Sequence, residues 1–331
     1  MRDNFKNVVK SVAKVIRKHG QITRREIAAI LPVSIMTVGK AVDYLFEIGM
    51  ISQSVLHTSG TGRKAGILSL SEKYCIVIDI SVRNFTLELF DISGKRITAL
   101  THHYSNSALF EENLYIFFDR AKAFCESKKQ NMDLLGVGLI IPGRYDSVSD
   151  RVECAGNMDF IGVNPSALLK ETFHDMPTFV TEDIMMGAAC AAECFEQYKN
   201  LLYIKTLPPL GAVVVADGKM WKGVINGLGF SAEATDDKLY EYMSYIEKAR
   251  LMSRAVAGYM TVFRPDAVVV DRSDFARDDG MAETITSLIT DEFSVKPDLC
   301  PQIISFASDD SAKKKGILTQ IFENWLDKTV K

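Results

Sequence analysis

Cys75-Ile76-Val77-Ile78-Asp79-Ile80-Ser81-Val82-Arg83-Asn84-Phe85-Thr86-Leu87-Glu88-Leu89-Phe90-Asp91-Ile92-Ser93-Gly94-Lys95 is the stretch that decides the fold. Its first six residues are apolar except Asp79, the composition of a strand buried on both faces. Residues 85–90 alternate like a second strand, and 91–95 turn into a third. Working outward, the pattern predicts a helix at about 109–126, then a strand at 134–141 that ends at Pro142-Gly143. A strand at 178–180 leads through Glu182-Asp183 into a helix at 185–198. The order then begins again, with strands at 201–204 and 211–215, a turn at 216–219 and a long helix at about 236–263. Strand 267–270, helix 281–293, strand 303–306 and helix 310–330 complete it. The succession β-β-β-α-β-α thus occurs twice, and two similar α/β halves predict a ligand cleft between them.

The first 70 residues read differently. Val8, Val9, Val12 and Ile16 recur at helical spacing up to a stop at His19-Gly20. Thr23 with Glu26 forms a capping box for a short helix at 24–31. Pro32-Val33-Ser34 makes a turn, and Ser34 caps a third helix from Ile35 to about Ile48. Two short helices joined by about three residues have helix-turn-helix spacing. On the third helix Ile35, Val38, Val42 and Leu45 share one side and are expected to pack inward. Thr37, Lys40 and Tyr44 lie opposite, free to touch a partner. Strands at 51–56 and 65–70 flank the tip Thr58-Ser59-Gly60-Thr61-Gly62-Arg63-Lys64, the outline of a wing. Arg63 and Lys64 would reach phosphates or a minor groove there, and Arg24 and Arg25 at the second helix's start are candidate phosphate contacts. The expectation is a winged helix-turn-helix that binds double-stranded DNA through Arg24, Arg25, Ser34, Thr37, Lys40, Tyr44, Arg63 and Lys64.

Charge agrees with that division. The 331 residues carry a formal net charge of −3, but residues 1–70 hold 11 Lys and Arg against four Asp and Glu, a net of +7. The remainder, at −10, is acidic. A basic head on an acidic body suits a polyanion at the head alone. Hydrophobic residues at 47% and charged residues at 24% exclude a disordered or fibrous chain. No apolar run approaches the roughly 18 residues that span a bilayer, and no signal peptide is read at the N-terminus. The six cysteines lack CxxC spacing and read as small buried residues of a reducing compartment. Together these predict a cytoplasmic protein with no membrane partner.

With those residues in hand, the chain resembles the ROK family of repressors and sugar kinases. The likeness rests on the order of a winged helix with a TGRK wing, CIVIDI…LELFDISGK, GVGLIIPG, TED and ADGKMWKG…NGLG. It implies a duplicated actin/hexokinase-like (ribonuclease H-like) ATPase fold, α/β in class. The domains it implies are the head at 1–70, a first lobe at 71–183 with the C-terminal helix 310–331, and a second lobe at 184–309. It further implies a sugar-like ligand near Gly143, Asn157, Glu182 and Asp183, with Asp183 at the position of the family's catalytic base.

Departures from the family pattern decide the activity. Phosphate cradles need glycine so that backbone N–H groups can approach. The first loop here reads Asp79-Ile80-Ser81-Val82-Arg83-Asn84, without its glycines. The second, Thr206-Leu207-Pro208-Pro209-Leu210-Gly211, holds two prolines that cannot donate. Asp271-Arg272-Ser273 replaces the late adenosine-side glycines. The stretch Gly227–Thr235 lacks the histidine of the family's zinc site, and Cys190 and Cys194, four apart on a helix, read as packing residues. We therefore expect no cofactor, no metal and no catalytic residue, with Asp183 vestigial. The expected protein is a non-catalytic regulator, a repressor by preference, which acts as a homodimer on a two-fold operator. Its effector would be a sugar derivative, or a sugar acid met by Arg144 or Arg83, or there is none. Two rival readings stand beside it, an active sugar kinase with an unorthodox ATP site and a ligand-independent DNA-binding dimer.

Overall fold

The computed structural model describes residues 3–55, 66–81, 84–103, 110–129, 132–154, 160–206, 211–221, 225–226, 242–272, 280–307 and 310–330. The chain opens with α1 (Asp3–His19), β1 (Ile22–Thr23), α2 (Arg24–Ile30), α3 (Ile35–Glu47), β2 (Ile51–Val55) and β3 (Gly66–Leu70). Both expected caps form. Thr23 and Glu26 make a reciprocal capping box, and the Ser34 hydroxyl accepts from the Thr37 N–H. Strands β2 and β3 pair antiparallel as a wing, and the two-residue β1, not foreseen in the sequence, extends them into a sheet of order β1-β3-β2.

The body continues with β4 (Tyr74–Ile80), β5 (Asn84–Asp91), β6 (Arg96–His103), α4 (Phe110–Lys129) and β7 (Leu134–Ile141). Next come β8 (Arg144–Asp146), β9 (Arg151–Cys154), α5 (Pro165–Phe173), β10 (Thr178–Glu182) and α6 (Asp183–Cys194). The sequence pattern does not predict the hairpin β8-β9 or helix α5, and α6 spans 183–194 rather than 185–198. The second half comprises β11 (Leu201–Lys205), β12 (Gly211–Ala216), β13 (Lys219–Met220), β14 (Ile225–Asn226), α7 (Tyr245–Val262), β15 (Ala267–Asp271), α8 (Met281–Glu292), β16 (Gln302–Phe306) and α9 (Asp310–Thr329).

Two sheets result, of order β10-β7-β4-β5-β6 and β13-β12-β11-β15-β16, each mixing parallel and antiparallel pairs. In the first sheet one face packs on α4 and α5, the other on α9. In the second, one face packs on α7 and α8 and the other on α6. Helices α6 and α9 lie against each other, with Gly316 of α9 facing the Met186 side chain of α6. Close approach of α9 depends on Gly138 of β7, where a Cβ would stand 2.4 Å from Ile317 Cδ1. The buried carboxylate of Glu88 on β5 pairs with the buried Lys314 of α9 and with Arg96 Nη1 at 3.0 Å. A buried charge needs such partners.

Helix α9 also enters the head. Phe322, Leu326 and Val330 share one buried cluster with Val9, Val12, Ile16, Val38 and Leu45. Along the seam Lys10 pairs with Asp327 at 2.6 Å and Lys14 with Glu323 at 2.5 Å. Arg17 donates to the Ile92 carbonyl at 3.0 Å and to Thr319 Oγ1 at 3.1 Å, with its guanidinium 4.7 Å from the centre of the Phe322 ring. Positions 10, 14 and 17 thus meet 327, 323 and 319, a ladder between antiparallel helices.

Phe322→Ala should cost about 3–5 kcal/mol, because the cavity it leaves lies in a core common to head and body. Urea unfolding followed by fluorescence and by circular dichroism checks this. The two signals should fall together at a lower midpoint, whereas loss of the head signal alone would show that the shared core does not couple them.

Candidate nucleic-acid interface and interlobe site

At the head, the two helices of the turn sort the predicted contacts. Ser34 Oγ is 2.8 Å from Thr37 Oγ1 and caps the helix as well, so these two hydroxyls are largely committed to each other. Arg24 Nη2 pairs with Asp43 Oδ1 at 2.8 Å across α2 and α3, while Arg25 and Lys40 are exposed. Tyr44 is half-buried against the head core rather than free. Ile35, expected inside, is 59% exposed, and its neighbour Met36 is 70% exposed. Ile35 sits in the first turn of α3, short of the buried stretch that begins at Val38, so helical period alone misplaces it. Arg63 and Lys64 of the wing lie outside the described residues.

The second candidate site lies where β7 and β10 of the first sheet end. These strands are parallel, with Glu182 opposite Ile141, so their carboxyl ends lie together, the usual place for a ligand in such sheets. Pro142-Gly143 is buried beside them. Glu182 and Asp183 turn to different partners, as adjacent residues at a strand end should. The Tyr145 N–H donates to Glu182 Oε1 at 2.7 Å, while Oε2 is buried with no hydrogen-bond partner among the described residues. Burial pushes the Glu182 carboxyl up to about 7, with the Tyr145 N–H opposing and the Asp183 charge adding to the rise.

Asp183 is held at both oxygens. Its Oδ1 accepts from the Ile184 N–H at 2.7 Å, and its Oδ2 receives the Lys205 ammonium at 2.6 Å. Lys205 is buried at the end of β11, so this pair joins the first half to the second. The sequence reading missed it. The available signal was a lysine closing the wholly apolar run Leu201-Leu202-Tyr203-Ile204, since a buried lysine needs a counter-charge. Beneath the pair, the buried Tyr203 hydroxyl donates to Asp271 Oδ2 at 2.6 Å. Gly187 makes room for that ring, since a Cβ there would lie 2.1 Å from Tyr203 Oη. Asn157, the phosphate-loop positions 82–83 and 207–210, and the stretch 227–235 lie outside the described residues. Among the described residues no group of three or more His, Cys, Asp or Glu could hold a metal ion, and no helix is long and apolar enough to cross a membrane.

With this geometry, comparison with known proteins becomes specific. No family model matches the sequence. The chain is 23% identical over 231 residues to the xylose repressor of Caldicellulosiruptor bescii, covering 67% of this chain and 56% of that protein. It is 21% identical over 230 residues to the DNA-binding transcriptional dual regulator NagC of Escherichia coli, covering 66% and 55%. The matches thus span little more than half the length of these relatives. A solved ROK family transcriptional regulator, a homologue of the E. coli MLC protein, superimposes with a TM-score of 0.72 at 14% identity, over 99% of both chains. The ROK hexokinase of Thermus thermophilus superimposes at 0.54 and 14% identity, over 77% of this chain and 99% of its own. By fold, the chain matches that regulator along its whole length and the hexokinase along about three quarters of its own. The resemblance to the ROK family read from the sequence is borne out, and the fold is that of ROK proteins.

Glu182 makes a pH prediction. Its folded value of about 7 lies above the ordinary 4.5, so the native state binds more protons between these limits. Stability should fall as pH rises from about 4.5 through 7, by up to ~3 kcal/mol, and level off above. Urea midpoints at pH 5 and 8 should differ in that sense for the native chain and differ less for Glu182→Gln. An unchanged difference in the variant would assign the slope to other groups.

Proposed function

We propose that this chain is a ROK-type DNA-binding transcription regulator, a repressor by analogy with its relatives, with no kinase activity. The observation that carries the reading is the coverage of the two structural likenesses. The regulator matches head and body together, whereas the hexokinase matches a share close to that of the body alone, residues 71–331. The named relatives are a xylose repressor and a transcriptional regulator, which supports DNA as the partner and a sugar or sugar derivative as the effector.

The site supports the non-enzymatic part. A base that takes a proton from a sugar hydroxyl must aim an oxygen lone pair at that hydroxyl. Asp183 has one oxygen on its own helix and the other on Lys205, while the sequence lacks the phosphate-binding glycines. Its role is therefore to lock β10 and α6 to β11. An effector meeting Gly143, Asn157 and Glu182 bears directly on the start of α6. That helix lies against α9, and α9 carries the ladder to α1, so the contacts run continuously from the ligand site to the head. A cavity of about 320 Å³ beside Arg17 in the seam, lined by 69–74 and 91–93, leaves room for the head to shift. A ligand that binds one arrangement better then changes operator affinity by its differential binding energy. Two-fold operators require two heads, which supports a homodimer with the body as the dimerising module.

Fluorescence anisotropy across a salt series tests the DNA reading, with the DNA upstream of its own gene against a scrambled duplex. Binding should be roughly a thousandfold tighter to the operator. Lys40→Ala should weaken both and reduce the salt slope by roughly one. Equal, weak binding to both duplexes would sink the reading. The kinase alternative is tested by incubation with ATP and glucose, xylose or N-acetylglucosamine. No phosphate transfer is expected, and transfer abolished by Asp183→Asn would establish the enzyme.

A further inference from the structure

The N-terminal half of α3 presents an unusual surface for a DNA-facing helix. Ile35 and Met36 are two of the most exposed large apolar side chains of the head, at 59% and 70%. Met36 and Lys40 are four apart and share a face, with Ile35 beside them. The polar groups that could pair with base edges are mostly spent inside the head. Ser34 and Thr37 bond each other and the helix N-terminus, and Arg24 is held by Asp43. Lys40 is the exposed cation of the helix, and its acidic residues, Asp43 and Glu47, fall in the other half. An exposed apolar pair beside Lys40, on a head of net charge +7, is matched in charge to a polyanion with apolar groups in reach.

We propose that Ile35 and Met36 read thymine C5-methyl groups in the major groove, with Lys40 one turn further on as the polar contact. This rests on the regulator reading above and adds what the head recognises. Thymine offers the one apolar group on a base edge in that groove. Neither side chain carries a donor or acceptor, so pressing them on guanine, adenine or cytosine edges leaves those edges unpaired and disfavoured. The half-site is accordingly selected for thymine steps beneath the first turn of α3. A second copy of this chain is the other occupant such a patch could take, but a dimer through it would bring two basic heads together.

The experiment selects bound duplexes from a randomised pool with the full-length protein, then compares the selected duplex with versions carrying deoxyuridine at each thymine. Uracil lacks only the methyl. At one or two positions wild-type binding should weaken by about three- to fourfold per methyl, the loss expected for one buried carbon group. Ile35→Ser and Met36→Ser should each lose the thymine–uracil difference at the methyl that residue contacts, and the double variant should bind both duplexes alike, with the salt slope retained. Both residues are exposed, so the variants should keep the native unfolding midpoint. Selection that succeeds with no thymine–uracil difference overturns the inference and leaves the regulator reading intact. A pool from which no sequence is enriched defeats the regulator reading and the inference with it. A fall in the mass of the free protein on Met36→Ser, seen by sedimentation, would make the patch a contact between copies and also overturn it.

Discussion

Everything in this molecule turns on the burial of one helix on three sides. Helix α9 places Ile317, Leu318 and Ile321 in the core of the first sheet, and Phe322 and Leu326, with Val330 just beyond its end, in the core of the head. Gly316 sets it against α6. Interiors at crystal-like density do not deform continuously, so a helix packed this way moves as a rod or not at all. Its buried Lys314 fixes the rod lengthwise, because sliding would pull that ammonium from Glu88 into apolar surroundings. The exposed ladder to α1 is energetically minor by comparison, since pairs such as Lys14–Glu323 are each worth ~1 kcal/mol or less. Its value is in register, with Arg17 and the Phe322 ring at the inner end.

The same helix explains why head and body cannot be read as separate beads. A head of 70 residues would have a small core of its own. Here that core is completed by three side chains from the far end of the chain and by Ile92 of the turn after β5. A body-only chain of this fold would leave Phe322 and Leu326 uncovered, so the C-terminal helix carries in its own residues the record of what it docks.

How much of this was legible depended on whether a feature was local. The Thr23–Glu26 box and the Ser34 cap involve neighbours within four residues, and each formed as expected; the strand at 85–90 formed too, but both its faces are buried at Glu88 and Leu89. Helix α5 was missed although Asn164 and Pro165 give it a cap and a first-turn proline, because its nine residues offer little apolar periodicity. The polar three-residue β8 has no alternation to detect and is held from outside, through the Glu182 carboxylate on the Tyr145 N–H. Ile35 was misplaced because periodicity gives a face and not a depth. At the site, Asp183 was found through its place in a motif, but Lys205 belongs to another strand, and only a count of buried charges would have suggested the pair.

That pair decides how the kinase-like body is best understood. In a phosphoryl-transfer site the acidic residue at this position must stay available, and binding energy is held back for the transition state. Here its charge is answered by a lysine from the opposite half, so the energy is spent on holding the two sheets in one relation. Next to it, Glu182 has a buried Oε2 with no hydrogen-bond partner among the described residues. Under the proposed regulator reading, a ligand that bonded that oxygen would bind and leave without turnover, as a reversible sensor requires.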